Sequence, residues 1–324
     1  MEAPKTLLEA VQYFSDEQVC IDAVAQMRWM GDPACHECGA KKPYYLKTQK
    51  RWKCRDCRKQ FSVKVGTIFE DSPVSLCKWL PALWMLVNDK NGISSWEMHR
   101  ALGVTQKTAW FMLHRLRLAL RDGFNTKMPS DGGPIEVDET FIGGKARNMH
   151  LAKRQQMASA GAEQMYGGKG KAIVIGALQR GGKVKVQVIP KRWKEHMQGF
   201  VRDHAERGAN IMTDEARQYL GISNEYLHEV INHMETYVRG NVSTNGIENF
   251  WSLLKRGLGG TYVSVEPFHL FRYLDEQMYR YNNRATKDNP LNDSDRFIAA
   301  LAQVSGKRLT YQELTGKSGD SEAF

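Results

Sequence analysis

The chain has 324 residues, 42% of them hydrophobic, which is more than one ordinary domain needs and enough to bury at least one sizeable core. Its 46 Lys+Arg against 36 Asp+Glu give a formal charge of +10, which favours a polyanionic partner such as nucleic acid. No apolar run approaches the roughly 18 residues that span a bilayer, and the opening MEAPKTLLEA lacks the basic-then-apolar layout of a secretory signal, so a membrane protein is disfavoured and a cytoplasmic location is expected.

Ser15-Asp16-Glu17-Gln18 has the form of a capping box, and Val19, Ala23, Val24 and Met27 follow at helical spacing, predicting a helix from about Asp16 to Trp29. Next come two CxxC pairs, Cys35 with Cys38 and Cys54 with Cys57, separated by fifteen residues. Each pair presents two thiolates from one tight turn, and the intervening hairpin brings the pairs together, as a tetrahedral Cys₄ Zn²⁺ site requires. All four ligands come from protein, so the predicted zinc is structural. His36 lies inside a knuckle and is read as a bystander, and Cys20 and Cys77 as ordinary buried thiols. Residues 41–64 hold ten basic side chains and one acid, Asp56. Lys50, Arg51, Lys53, Arg55, Arg58 and Lys59 are the candidates there for a DNA backbone, while Tyr44, Tyr45, Trp52 and Phe61 are expected in the small core of the hairpin.

FSVKVGTIFE reads as a strand, and SLCKWLPALWMLV after Pro73 as a helix. From Gly92 to Trp110 the spacing is that of a helix-turn-helix, with a first helix ending in Ala101-Leu102, a turn at Gly103, and a second helix whose first turn exposes Gln106 and Lys107. That second helix is expected to bury Met112, Leu113, Leu116 and Leu120 and to carry Lys107, His114, Arg115, Arg117 and Arg121 on a polar side, with Arg115 a further DNA contact. Polar, Gly/Pro-rich Phe124–Pro134 marks a domain boundary.

Beyond it lies PIEVDETFIGG, in which Ile135 and Val137 alternate with Glu136 and Asp138, the pattern of a short strand with a carboxylate near its end. KAIVIGALQRGG and KVKVQVIP read as two further strands joined by a Gly181-Gly182 hairpin turn. Lys191–Arg207 is predicted helical, Asn210–Asp214 and Leu227–Ile231 extended, with a helix between those two strands and another beginning near Thr244. Strand, strand, strand, helix, strand, helix, strand, helix matches the mixed α/β sheet of an RNase-H-like fold, which would gather Asp138, Asp214 and Glu248 at one end. Three such carboxylates suit Mg²⁺ or Mn²⁺, hard ions that prefer oxygen ligands, and two ions held by them would drive in-line displacement at phosphorus. Glu136, Glu139 and Glu215 compete for the ligand role and are expected as solvent-facing or supporting groups. Lys255, seven residues after Glu248 and on the same helical face, would hold a substrate phosphate. Asn148–Gly170 is expected as a loop that closes over DNA, and its GGKGK ending lacks the GxxxxGK[ST] spacing of a nucleotide-binding loop. Phe268, Phe271, Leu274, Met278 and Tyr281 are expected to pack on the sheet, and Ser294–Val304 to form one more helix that serves oligomerisation.

VDET, TDEA and above all TNGIENFWSLLKRGLGGTY resemble the DDE transposases of bacterial insertion sequences, in the group with an N-terminal zinc ribbon and an ISXO2-like catalytic region. The resemblance runs from about Phe14 to Arg284 and implies that Asp138, Asp214 and Glu248 are the catalytic triad, with Lys255 the accompanying basic residue; many relatives have His at the place of Ser243. It implies a nucleoid-associated enzyme that binds double-stranded terminal inverted repeats and target DNA as a homodimer or higher oligomer in a synaptic complex. The expected organisation is a helix and zinc ribbon over 1–65, a helix-turn-helix over 66–125, the catalytic domain over 134–285 and a helical tail over 286–324. Two other readings use the same residues: a transposase-derived DNA-binding regulator without catalysis, and a structure-selective nuclease that does not join strands.

Overall fold

A computed structural model describes residues 4–121, 126–144, 171–231, 243–287 and 289–316. The described residues form two compact units, one from 4–121 with 283–316, the other from those between 126 and 282. The segment 148–170 lies outside the described residues.

In the first unit, α1 (Leu7–Tyr13) precedes α2 (Glu17–Trp29). The cap of α2 is Asp16, whose carboxylate accepts the Gln18 N–H at 2.6 Å. Ser15 cannot fill the expected capping-box role because its hydroxyl donates to the Gln12 carbonyl at 2.7 Å and closes α1. Three short antiparallel strands follow: β1 (Tyr44–Leu46), β2 (Arg51–Lys53) and β3 (Gln60–Phe61), with Tyr45 opposite Trp52 and Trp52 opposite Phe61. Trp52 is buried against Trp29, Tyr45 and Phe61, at centroid distances of 5.0, 4.7 and 6.3 Å, so these aromatics are core, whereas Tyr44, also expected there, is exposed because strand alternation turns it to the face opposite Tyr45. The strand expected over FSVKVGTIFE stops at Phe61. Beyond it the chain turns, with Thr67 N–H on the Lys64 carbonyl and Gly66 at φ +73°, and buries Val63, Ile68 and Phe69 without the alternation a strand face would impose.

α3 (Leu76–Asn88) is capped by Ser75, and α4 (Ser95–Leu102) by a full capping box of Ser94 and Glu97. α4 ends at Gly103 in the left-handed region, φ +59°, a conformation glycine adopts without the steric cost of a Cβ, and Thr105 caps α5 (Gln106–Leu120). The described residues after Asn282, up to 316, are part of this unit and not a separate tail. Their helix Asp293–Leu301 places Phe297 against Phe14 and Trp84, and Lys307 donates to the carbonyls of Ala119 and Arg121.

That packing overturns one expected DNA contact. Arg115 is 4% exposed; it donates to the carbonyls of Leu309 (2.9 Å), Ile68 (3.0 Å) and Glu70 (2.7 Å), and its guanidinium lies over the Phe111 ring. His114 and Arg117, also expected on a polar face, are equally buried. The periodicity of α5 shows one apolar stripe, but the residues from 305 to 314 cover a second face of the helix.

In the second unit, β4 (Ile135–Ile142), β5 (Ala172–Gln179), β6 (Val184–Ile189), β7 (Asn210–Asp214) and β8 (Leu227–Ile231) form one sheet in the order β6-β5-β4-β7-β8. The β4–β5 and β5–β6 pairs are antiparallel, and β4–β7 and β7–β8 parallel. α6 (Lys194–His204) covers one face with Met197, Phe200 and Val201 against Ile135, Val137, Ile173 and Ile175. α7 (Asn245–Gly260) and α8 (Leu270–Asn282) cover the other, with Phe250, Trp251, Leu254 and Leu274 against Val174, Leu178 and Val186. With helices on both faces, β5 is apolar almost throughout. The helix expected between β7 and β8 is two single 3₁₀ turns, Arg217–Tyr219 and Ile222–Asn224, divided by Gly221 at φ +89°. Of the apolar positions expected on α8, Leu274 and Tyr281 are buried, while Phe268 lies in a short turn before it and is exposed.

Arg115→Ala is expected to destabilise the first unit by about 3 kcal/mol, the scale for removing a buried charge from its hydrogen bonds. Denaturant unfolding of the full chain checks this. Unchanged stability with selectively lost DNA affinity would return Arg115 to the surface.

Candidate functional site

Two clusters of ionisable side chains stand out, one in each unit. In the first, Cys35, Cys38, Cys54 and Cys57 are the one group of three or more His, Cys, Asp or Glu, among the described residues, whose ligand atoms all lie within 4.8 Å of one another. The Sγ atoms of Cys35 and Cys57, and of Cys38 and Cys54, are 3.6 Å apart. A tetrahedron with Zn–S bonds of about 2.3 Å has edges of about 3.8 Å, so the cage fits Zn²⁺. Backbone N–H groups point at the sulfurs, Ala40 at Cys38, Cys57 and Asp56 at Cys54, and Lys59 at Cys57, as second-shell donors to thiolates do. His36 packs beside Phe61 at 5.3 Å and is outside the group. Cys20 and Cys77 are neighbours rather than isolated thiols, with Sγ atoms 3.8 Å apart.

The exposed arginines Arg51, Arg55 and Arg58 make no ion pair among the described residues, while Lys50 and Lys59 are paired with Glu17 and Glu37 at 2.8 Å and Lys53 is half-buried. In α5, Lys107 is exposed with its ammonium over the Tyr311 ring, and Gln106 is held by the Ser95 hydroxyl at 2.9 Å.

The second cluster is organised by β4, whose side chains alternate. Ile135 and Val137 enter the α6 core, so Glu136 and Asp138 face α7. The Asp138 carboxylate accepts the indole N–H of Trp251 at 3.0 Å and the N–H of Glu139. Burial, reinforced by the charges of Asp214 and Glu248, pushes its pKa up to about 6. Trp251 reaches Asp138 across Gly176, which stands opposite Asp138 in the β4–β5 register. A Cβ at Gly176 would come within 2.7 Å of that indole.

Glu136, expected as a solvent-facing or supporting acid, is 2% exposed because it shares the face of Asp138 two residues on. Its carboxylate accepts the Ile247 N–H at 2.9 Å in the first turn of α7 and the Arg180 Nε–H at 2.6 Å, while Arg180 also donates to the Ser243 carbonyl (2.8 Å) and hydroxyl (2.5 Å). The approach is so close that a Cβ at Gly246 would stand 2.7 Å from Glu136 Oε2. Glu248 is exposed in the same helical turn and accepts the Thr244 hydroxyl at 3.0 Å; Lys255, two turns along, is exposed too.

Asp214 ends β7, with its side chain 33% exposed and one oxygen accepting the Ala216 N–H. Arg192 lies 3.9 Å from it and is also bonded to Glu139, whose carboxylate faces the α6 side and accepts the Tyr219 hydroxyl at 3.4 Å. Burial pushes Glu139 up to about 7, and Arg192 offsets only part of that. Of the three competing acids, Glu215 alone is exposed. Strand alternation already separates Glu139 from Asp138, and the two-residue step from Glu136 to Asp138 was the signal for their common face. Nothing in the sequence pointed to Arg180, Arg192 or Trp251 as their partners.

Residues 132–282 match a sequence family described as the ISXO2-like transposase domain, and residues 15–60 match the transposase zinc-ribbon domain. The chain is 25% identical, over 256 residues that make up 76% of it and 85% of the relative, to an uncharacterized protein in transposable element ISH50 of Halobacterium salinarum.

Cys38→Ser is expected to release zinc from the purified protein and to raise the protease sensitivity of residues 30–60, since a structural zinc supplies folding free energy to a ribbon. Stoichiometric zinc in that variant would contradict the cage. For Asp138, a carboxyl whose folded pKa of about 6 exceeds its ordinary value of 3.8 loses stability as pH rises between those values and stays at the lower level above them. Asp138→Asn is therefore expected to raise the stability of the magnesium-free protein at pH 7.5 by about 2 kcal/mol. The gain should fade towards pH 4, and melting curves at the two pH values distinguish this from a uniform packing effect.

Proposed function

Because the chain belongs to the insertion-sequence transposases that join a transposase zinc ribbon to an ISXO2-like transposase domain, we propose that it binds the terminal inverted repeats of its element and catalyses metal-dependent cleavage and joining of those ends to target DNA. The observation that carries this reading is the desolvated carboxylate of Asp138, bonded to Trp251 and within electrostatic reach of Asp214 and Glu248. An anion largely held away from water, with no ion-paired cation of its own among the described residues, fits a divalent cation. The sheet order β6-β5-β4-β7-β8, antiparallel then parallel, supports an RNase-H-like catalytic domain. The α4–Gly103–α5 pair supports a helix-turn-helix with Gln106 and Lys107 towards DNA.

Asp138, Asp214 and Glu248 would hold Mg²⁺ or Mn²⁺, an all-oxygen donor set suited to hard ions. Bound there, the ions supply Lewis-acid stabilisation and an activated oxygen nucleophile for in-line displacement at phosphorus. Lys255, on the face of α7 that carries Glu248, holds a phosphate of the strand being cut. Arg51, Arg55 and Arg58 contribute sequence-independent attraction to the duplex, so end binding falls steeply with salt. Two copies meet on a pair of ends in the synaptic complex. The acidic triad is intact, which weighs against an inert regulator, and a joining assay separates the transposase from a nuclease.

Incubating the full-length protein with labelled DNA bearing the element's ends and Mg²⁺ tests the proposal. Asp138→Ala, Asp214→Ala and Glu248→Ala are each expected to abolish cleavage and joining while end binding persists. Lys255→Ala is expected to lose on the order of 10²–10³-fold, the scale for deleting one preorganised electrostatic contact. Mn²⁺ should replace Mg²⁺, and Ca²⁺ should support binding with little cleavage. If Glu248→Ala cleaves while Glu215→Ala does not, the third ligand is misassigned.

A further inference from the structure

The N-terminus of α7 is capped in an unusual way. Thr244 occupies the N-cap position, where a hydroxyl ordinarily accepts an N–H of the first turn, yet its side chain makes no cap bond. The hydroxyl donates instead to the Glu248 carboxylate at 3.0 Å, from a residue that is 1% exposed. The cap acceptor is supplied from the sheet. Glu136 takes the N–H of Ile247, the third residue of the helix, at 2.9 Å, and places a negative charge at the positive end of the helix dipole. Arg180 fixes that carboxylate from the other side and ties it to Ser243, one residue before Thr244. Gly246 has no side chain because none fits between α7 and Glu136.

From these contacts we infer that Glu136 and Thr244 are positioning residues for Glu248, an inference that rests on the proposed role of Glu248 as a metal ligand. Glu136 takes over the cap, fixing the depth and rotation of the first turn of α7 relative to β4. This releases the Thr244 hydroxyl to aim the Glu248 carboxylate. Asp138 and Glu248, one on the strand and one on the helix, thereby keep a constant separation. Neither positioning residue touches the reacting phosphate. Supporting groups of this kind typically contribute 10- to 100-fold in metal affinity or activity.

The test uses full-length Thr244→Val, Glu136→Gln and Glu248→Gln. Mn²⁺ affinity is measured by titration calorimetry beside cleavage of end DNA, melting temperature, zinc content and end binding. Thr244→Val keeps the shape of the side chain and removes only the hydroxyl, and Glu136→Gln keeps an acceptor for Ile247 but loses the ion pair with Arg180. For both, the expected result is a roughly 10-fold weaker Mn²⁺ affinity and a 10- to 100-fold slower cleavage that recovers partly at high Mn²⁺, with zinc content and end binding unchanged. Should Glu136→Gln melt far below the unaltered protein, Thr244→Val decides the matter. If Thr244→Val binds Mn²⁺ and cleaves as the unaltered protein does while Glu248→Gln is inert, the positioning role is overturned and the site reading stands. If Glu248→Gln also cleaves normally, both fall.

Discussion

The arrangement of the second unit depends on two carboxylates two residues apart on β4 beneath one helix, Glu136 buried and Asp138 half-buried. Glu136 and Asp138 face α7 because Ile135 and Val137 must face α6, and a strand has no other way to distribute its side chains. Burying two carboxylates side by side is costly unless each is hydrogen-bonded or paired. Glu136 meets the condition fully, with a guanidinium and a helix N–H. Asp138 meets it in part, with one indole N–H and one peptide N–H. The difference between the two separates an acid that holds the fold from one left with capacity for a cation.

Glycine sets the spacing that makes this possible. Gly176 and Gly246 stand where a Cβ would strike Trp251 and Glu136 respectively, so α7 approaches β4 and β5 closely enough for direct hydrogen bonds to the β4 carboxylates. On the opposite face Glu139 is satisfied separately, by Arg192 and Tyr219, and Arg192 links it to Asp214 at the end of β7. Each acid near the strand end thus has its own partner set, and adjacent carboxylates differ in character because strand alternation sends them into different layers.

The first unit shows a similar economy with cations. The ribbon gains its small core from Trp29, Trp52, Tyr45 and Phe61 and its rigidity from four cysteines, leaving the hairpin rim free for Arg51, Arg55 and Arg58. Arginine is used inside as well. Arg115 joins the carbonyls of Ile68 and Glu70 to that of Leu309, two segments distant in sequence, and so fastens the C-terminal segment to α5. The planar guanidinium with several fixed donors suits that bridging role as well as it suits phosphate.

Local chemistry made part of this legible in the chain itself. Two CxxC pairs specify a zinc cage because ligand spacing within a knuckle is a local property, and β4, β5, β6, β7 and β8 announce themselves by alternation or by apolar runs between turn residues. The seven-residue step from Glu248 to Lys255 follows from helix geometry alone. Other features depend on what lies across a gap the sequence does not display. That Arg115 is buried was decided by residues nearly two hundred positions away, and that Glu136 is a helix cap by a helix more than a hundred positions later. A polar side chain advertises its capacity for hydrogen bonds but not its partners, and long-range packing alone determines which of these charges face water and which are enclosed.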